Sequence, residues 1–281
     1  MRKNQNGDRK RNFKHNQTSS SKSFSRFKLY IEYEGTRYSG WQKQENAKTI
    51  QGSILQSAKE IFGKDFIDLQ GSGRTDSGVH ALSQVAHLDI KTVLAPEIIR
   101  MKLNDLLPSD INIIEVKKAN LKFHARHDAK SRSYIYQISQ RRTAFGKKYV
   151  WWVKDNLDYK KMESASKLFI GMNDFSSFSD DDPEEKSTKV LIENIQIMED
   201  GNLILIRIVA SHFIWKMVRR IIGVLVEVGR GNKTENDIRN YLNTKSNEPA
   251  KYTAPPSGLF LEKVLYEGDK LSEELGGIIK I

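Results

Sequence analysis

The chain has 281 residues, 38% of them hydrophobic, and its 46 lysines and arginines against 35 aspartates and glutamates give a net charge of +11. A chain of this length can bury a large core, as one large or two medium-sized domains. Because the chain has no cysteine, we exclude disulfide, zinc-ribbon, iron–sulfur and thiol chemistry. Because it has no long apolar run and no secretory signal, we expect a cytoplasmic protein without membrane spans.

The chain opens with a basic segment, residues 1–26, which holds eight basic residues, one acidic residue and no Leu, Ile or Val. Such a composition cannot bury enough apolar surface to fold, so it predicts a disordered tail. Two interpretations stay open: an arm that neutralises nucleic-acid phosphates, and a solubilising extension without a specific partner. The rest of the chain is only mildly basic, so its charge alone does not establish binding to nucleic acid.

The first half of the remaining chain predicts the order β-α-β-β-α-β, which is the ferredoxin-like pattern. Its helices are expected at 50–62 and 96–107, and its strands at 28–34, 66–70, 85–90 and 111–117. The first helix is the best marked, with apolar residues at helical spacing, Thr49 as N-cap and Gly63 after its end.

The second half repeats this order with one extra helix. Its strands are expected at 133–139, 190–198, 203–209 and 258–266, and its helices at 158–170, 213–228 and 235–242, the last capped by Thr234 with Asp237 three residues on. The acidic stretch 179–185 is expected to be an exposed loop.

We therefore predict an α+β fold of two ferredoxin-like halves, with antiparallel sheets joined around a central catalytic cleft. The expected domains are a tail at 1–26, an N-terminal domain at 27–120 and a C-terminal domain at 121–281.

A glycine-rich loop, Gly71–Ala81, follows the second predicted strand and reads GSGRTDSGVHA. Its spacing is neither GxGxxG nor a P-loop, so it does not predict a nucleotide-phosphate site. It presents Arg74, Thr75 and Asp76 together, and an aspartate held near arginines is ionised and can act as a nucleophile. The alternative is an aspartate that caps its own turn, and from the residues alone this is the commoner situation.

The run from Gly73 to Ala81 resembles the signature GRTDxGVHA of the tRNA pseudouridine synthase A family. Further segments resemble the same family, in the same order: 33–42, 123–126, 132–136, 173–178, 213–229 and 258–261. The resemblance extends over about residues 27–266 and leaves the basic tail outside.

The resemblance implies an enzyme that converts uridine to pseudouridine in the anticodon stem-loop of tRNA, at positions 38, 39 and 40, as a homodimer and without a metal or redox cofactor. It implies that Asp76 is the essential carboxylate, which either attacks C1′ or removes a ribose proton. It further implies that Arg219 pairs with Asp76, that Tyr134 stacks on the target base and that Arg74 helps to extrude it.

Each of these residues also has a structural interpretation. Tyr134 and Tyr136 alternate along a strand and, without the resemblance, are expected in the core. Arg219 could lie at a solvated helix edge, although an apolar helix rarely buries an unpaired cation.

Other side chains invite a functional interpretation on weaker grounds. His124 and His127 are three residues apart, but no neighbouring cysteine or paired carboxylate supports a metal site. Trp151 and Trp152 are expected to pack rather than to stack on bases, whereas Trp41 lies in a motif loop and stays a candidate for base stacking.

The alternative function is a non-catalytic RNA-binding protein, since ferredoxin-like sheets also bind RNA through surface aromatics. The chain lacks the RNP1-type run of such proteins. Pure binding would also not require Asp76, Tyr134 and Arg219 together.

Overall fold

The computed structural model describes residues 24–181 and 187–279. In these residues the chain forms ten strands and six α-helices. The first half contains β1 (Ser25–Tyr33), α1 (Ile50–Phe62), β2 (Phe66–Gly71), β3 (His80–Ile90), α2 (Pro96–Leu106) and β4 (Ile111–Ala119). The second half contains β5 (Ser131–Ser139), β6 (Trp151–Trp152), α3 (Tyr159–Ser166), β7 (Gly171–Asp174), β8 (Lys189–Asp200), β9 (Leu203–Ala210), α4 (Met217–Gly229), α5 (Glu235–Asn243), α6 (Glu248–Lys251) and β10 (Leu259–Leu265).

The two halves share one strand topology. The first half has the strand order β4-β1-β3-β2, and the second has β10-β5-β9-β8, which is the same arrangement of first, second, third and fourth strands. Within each of these four-strand arrangements the neighbouring strands are antiparallel, and the short β6 adds a parallel pairing to β5. The predicted α+β fold of two ferredoxin-like halves is thereby confirmed.

Strand β10 joins the halves into one continuous sheet. On one side it pairs antiparallel with β5, and on the other it pairs parallel with the start of β3, at His80 and Ala81. The end of β3 pairs on that same edge with β2, from Ala86 to Ile90. One edge of β3 is thus shared between a strand of its own half and the last strand of the other half.

The core forms where the helices pack on the sheet. In β1, Phe27, Leu29 and Ile31 alternate with more exposed residues and are at most 3% exposed, against Ile54 of α1 and Leu103 of α2 in the same cluster. In the second half, nearly all of α4 is buried, which its apolar sequence predicted. The division of the chain into domains at residues 120 and 121 stays a prediction.

Some boundaries differ from those predicted. β1 begins at Ser25, so the predicted tail 1–26 is wrong at its last residues: Arg26 binds the carboxylate of Asp89 through two hydrogen bonds of 2.7 and 2.6 Å. Residues 1–23 lie outside the described residues. β3 begins five residues earlier than predicted, since its first residues pair with β10 rather than following a hydrophobic alternation.

Helix α4 begins at Met217 rather than at residue 213. The residue before it, Lys216, has a left-handed backbone with φ of 63°, which no helix can include. The acidic stretch predicted as an exposed loop is anchored here, because Asp180 forms ion pairs with Lys216 at 2.6 Å and with Arg220. Residues 182–185 of that stretch lie outside the described residues. Throughout the described ranges, no helix combines the length and the apolar character that a membrane crossing requires.

Candidate active site

The glycine-rich loop between β2 and β3 is held in place from two sides. The side chain of Gln84, on β3, accepts from the Ser72 hydroxyl at 2.6 Å and donates to the Gly73 carbonyl at 3.2 Å. On the other side, the backbone N–H of Trp41 donates to the Thr75 carbonyl at 3.1 Å, and the Thr75 hydroxyl bonds the Tyr33 phenol at 2.9 Å. Asp76 therefore sits on a loop whose backbone is fixed immediately before it.

Two glycines of this loop are needed for its shape. Gly78 has a φ of +79°, the left-handed region that side chains disfavour. Gly71 lies against the indole of Trp41, and a Cβ there would come within 2.5 Å of the ring nitrogen. Trp41 is only 1% exposed. Its predicted candidacy for base stacking is wrong, because the loop itself covers the ring.

Asp76 and Arg219 meet across the two halves of the molecule. The Arg219 Nη1 of α4 donates to Asp76 Oδ2 at 3.3 Å, and the two side chains are 15% and 25% exposed. Among the described residues, the Asp76 carboxylate accepts no hydrogen bond from its own turn, so the turn-capping interpretation finds no support. The Arg219 Nε donates at 2.6 Å to the carbonyl of Ala254, which orients the guanidinium towards the aspartate.

Tyr134, on β5, forms part of the same site. Burial raises the pKa of its phenol, and electrostatic interactions with the neighbouring Tyr33 and Asp76 add to this effect. Its ring packs edge-on against Phe213, with the centroids 5.0 Å apart, and only 9% of the residue is exposed. Tyr134 is thus a buried, protonated side chain that lines the site beside Asp76. Tyr136 is fully buried and donates to the Pro255 carbonyl at 2.8 Å, as a core residue would.

Arg74 stands apart from these three side chains. It is exposed, and its Nε donates to the side chain of Gln42 at 3.1 Å. The structure therefore brings Asp76, Arg219 and Tyr134 together, while Arg74 lies on the solvent side of the same loop, two residues from Asp76.

Arg132 is a feature of the site that the sequence interpretation missed. It lies two residues before Tyr134 on β5, and its terminal nitrogens donate to the carbonyls of Ser72 at 3.1 Å and Ser211 at 2.9 Å, as well as to those of Arg126 and Ala129. No carboxylate pairs with it within the described ranges, and burial lowers its pKa. It ties the aspartate loop to the segment that follows β9 and adds positive charge beside the site.

The histidine pair and the Trp151–Trp152 pair are not part of the cluster of Asp76, Arg219 and Tyr134. His124 and His127 stack with their ring centroids 4.1 Å apart, and in the described part of the chain no three His, Cys, Asp or Glu side chains form a group that could hold a metal. Burial lowers the pKa of His124, and electrostatic repulsion from the neighbouring His127 adds to this effect. Trp151 packs against Tyr136, whereas Trp152 is 43% exposed and packs less than expected.

The sequence model of a family described as tRNA pseudouridine synthase matches residues 29–128 and 165–267. Asp76 lies in the first matched segment, Arg219 in the second, and Tyr134 between them.

Individual relatives match over nearly their whole length. The chain is 38% identical over 251 residues to a tRNA pseudouridine synthase A of Thermodesulfovibrio yellowstonii, covering 85% of this chain and 98% of the relative. It is 41% identical over 245 residues to one of Rhodopseudomonas palustris, covering 86% and 99%. A solved structure of the archaeal box H/ACA sRNP Nop10–Cbf5 complex aligns with a TM-score of 0.35 at 13% identity, over 72% of this chain and 43% of that one.

Proposed function

The chain belongs to the tRNA pseudouridine synthase family, and we propose that Asp76 is the essential carboxylate with which it isomerises uridine to pseudouridine in tRNA. The observation that carries this assignment is the 3.3 Å pair between Asp76 and Arg219, which draws one residue from each half to a single point beside Tyr134. A non-catalytic RNA-binding protein would have no use for such a charged pair.

The reaction breaks the bond between N1 of uracil and C1′ of the ribose, turns the base, and joins C5 to C1′. The C5 proton is lost at the end, and N1 gains one, so product and substrate are isomers. Asp76 either attacks C1′ or removes a ribose proton, and both routes need an ionised carboxylate. Arg219 holds Oδ2, which leaves Oδ1 to face the ribose.

Tyr134 and Arg74 act on the base in this proposal. Removing a base from a helix costs a few kcal/mol, and contact with an aromatic ring returns about 1–3 kcal/mol. Tyr134 receives the uracil beside Asp76, with its phenol kept protonated by burial. Arg74, exposed and held only through Gln42 among the described residues, fills the space that the base has left.

We propose further that the substrate site is the anticodon stem-loop, with uridines at positions 38, 39 and 40, and that the protein acts in the cytoplasm as a homodimer. The names of the curated relatives and the motifs of Gly71–Ala81 support the assignment to this group of enzymes. Light scattering of the purified protein, with and without tRNA, tests the dimer.

The catalytic assignment is tested by mapping pseudouridine in tRNA after treatment with the wild type, Asp76→Asn and Asp105→Asn. Asp105 is an exposed carboxylate on α2 and serves as the matched control. We expect pseudouridine with the wild type and with Asp105→Asn, and none above background with Asp76→Asn. Equal amounts of pseudouridine from the wild type and from Asp76→Asn would refute the assignment. Tritium release from C5-labelled RNA separates catalysis from binding alone.

A further inference from the structure

A large aromatic side chain lies open to solvent at the edge of the candidate site. Trp215 is 52% exposed and belongs to the segment 211–216 between β9 and α4. Two residues before it, Phe213 packs against Tyr134, and four residues after it, Arg219 bonds Asp76. Four residues of chain span at most about 15 Å, so the indole is within reach of a nucleotide adjacent to the one at Asp76.

The backbone around Trp215 is held tightly although its side chain is not covered. The Trp215 N–H donates to the Asp181 carboxylate at 2.9 Å, and the Lys216 ammonium bonds Asp180 at 2.6 Å. Lys216 is the one non-glycine residue with positive φ in the described ranges. Such a conformation is strained and persists where the surroundings hold it, often at functional sites.

The chemistry of this edge fits an RNA base. The Lys216 ammonium lies 4.7 Å from the centroid of the Trp215 ring, and more than half of the tryptophan remains open. Because Asp180 already pairs with the Lys216 ammonium, the exposed ring rather than the cation offers the contact, and proteins hold single-stranded RNA by stacking its bases on such rings. Trp152 is also exposed, at 43%, but only Trp215 lies in the segment that carries Phe213 to Tyr134.

We propose that Trp215 is a stacking platform for an unpaired RNA base next to the target uridine. This inference rests on the proposed function, because it requires RNA bound with its uridine at Asp76. It adds a binding subsite that none of the residues Asp76, Arg219, Tyr134 and Arg74 provides.

Fluorescence tests the contact directly. An anticodon stem-loop RNA is titrated into the Asp76→Asn protein, in which no turnover is expected, and into the same protein carrying Trp215→Phe or Trp152→Phe. Trp152 is the matched control, since it is 43% exposed but lies on β6. Stacking quenches indole emission, so we expect quenching in Asp76→Asn and in the Trp152 variant and its loss in the Trp215 variant. Full quenching in the Trp215→Phe protein would overturn the proposal.

Kinetics give a second measurement in the otherwise wild-type protein. Base–aromatic stacking predicts that Trp215→Ala raises KM by about five- to 150-fold, with kcat within threefold, while Trp215→Phe stays close to wild type and Trp152→Ala is unchanged. An unchanged KM in Trp215→Ala, or a loss confined to kcat, would refute the platform. These outcomes are distinct from those for Asp76: an active Asp76→Asn protein refutes the catalytic assignment, whatever Trp215 does.

Discussion

Replacing Arg219 by methionine removes the group that orients Asp76. The lost contact is a single charge-assisted hydrogen bond of 3.3 Å, longer than the 2.7–2.9 Å that is typical of such bonds. Bonds of this kind contribute about 1.5–3 kcal/mol, and the long distance argues for the lower part of that range, about 1.5–2 kcal/mol. At 1.36 kcal/mol per factor of ten, the chemical step should slow by about 10- to 30-fold.

The assay is the single-turnover rate of tritium release with enzyme in excess over C5-labelled tRNA, which removes differences in tRNA affinity. Arg219→Lys keeps the charge but lacks the planar fork whose Nε and Nη1 bond the Ala254 carbonyl and Asp76 at the same time, so we expect an intermediate rate. Arg239→Met, at an exposed position of α5, is the matched control. A folded Arg219→Met enzyme with a rate within twofold of wild type would refute this reasoning.

Two further predictions concern stability. Gly71→Ala drives a methyl into the buried Trp41 indole and should cost about 1–3 kcal/mol, lowering Tm by about 2–4 °C per kcal/mol, whereas Gly73→Ala meets nothing within 4 Å and should leave Tm nearly unchanged; equal Tm values for the two variants would contradict the packing argument. Hydrogen bonds from Lys233, Tyr241 and Tyr252 lower the pKa of Glu248 to about 2, so its contribution to stability should be complete above its ordinary pKa of 4.5 and fade as pH falls towards 2. Urea unfolding should therefore show Glu248→Gln less stable than wild type at pH 7, with a smaller difference at pH 3, and a constant difference would reject the coupling.

Elements with local signals were predicted closely from the sequence. Helix α1 begins after Thr49, whose hydroxyl accepts from Gly52, and α5 begins with the expected reciprocal bonds between Thr234 and Asp237. Caps of this kind depend on residues three positions apart, so they can be recognised directly in the sequence. The start of β3 depends instead on pairing with β10, and α4 begins only after the left-handed backbone of Lys216; neither feature is visible in the local sequence.

The site divides in the same way. Asp76 stands out within its loop, but its partner is 143 residues away, and only the resemblance to a family pointed to Arg219. Arg132 was missed because its partners are main-chain carbonyls, which carry no sequence signal. Trp41 was misjudged although its motif was visible in the sequence. Gly71 has no side chain, so the loop closes over the indole, and the sequence does not show that these two residues meet.

The central position of β10 has a consequence for how the enzyme is made. Of the ten described strands, β10 is synthesised last, yet it is the strand that pairs with both halves of the molecule. During synthesis, the first half can therefore fold early, whereas the second half is incomplete until its fourth strand, β10, has been made. Until then, the position of Arg219 relative to Asp76 is not fixed. Activity should thus appear abruptly with the final stretch of translation, and a chain halted before Leu259 should remain inert.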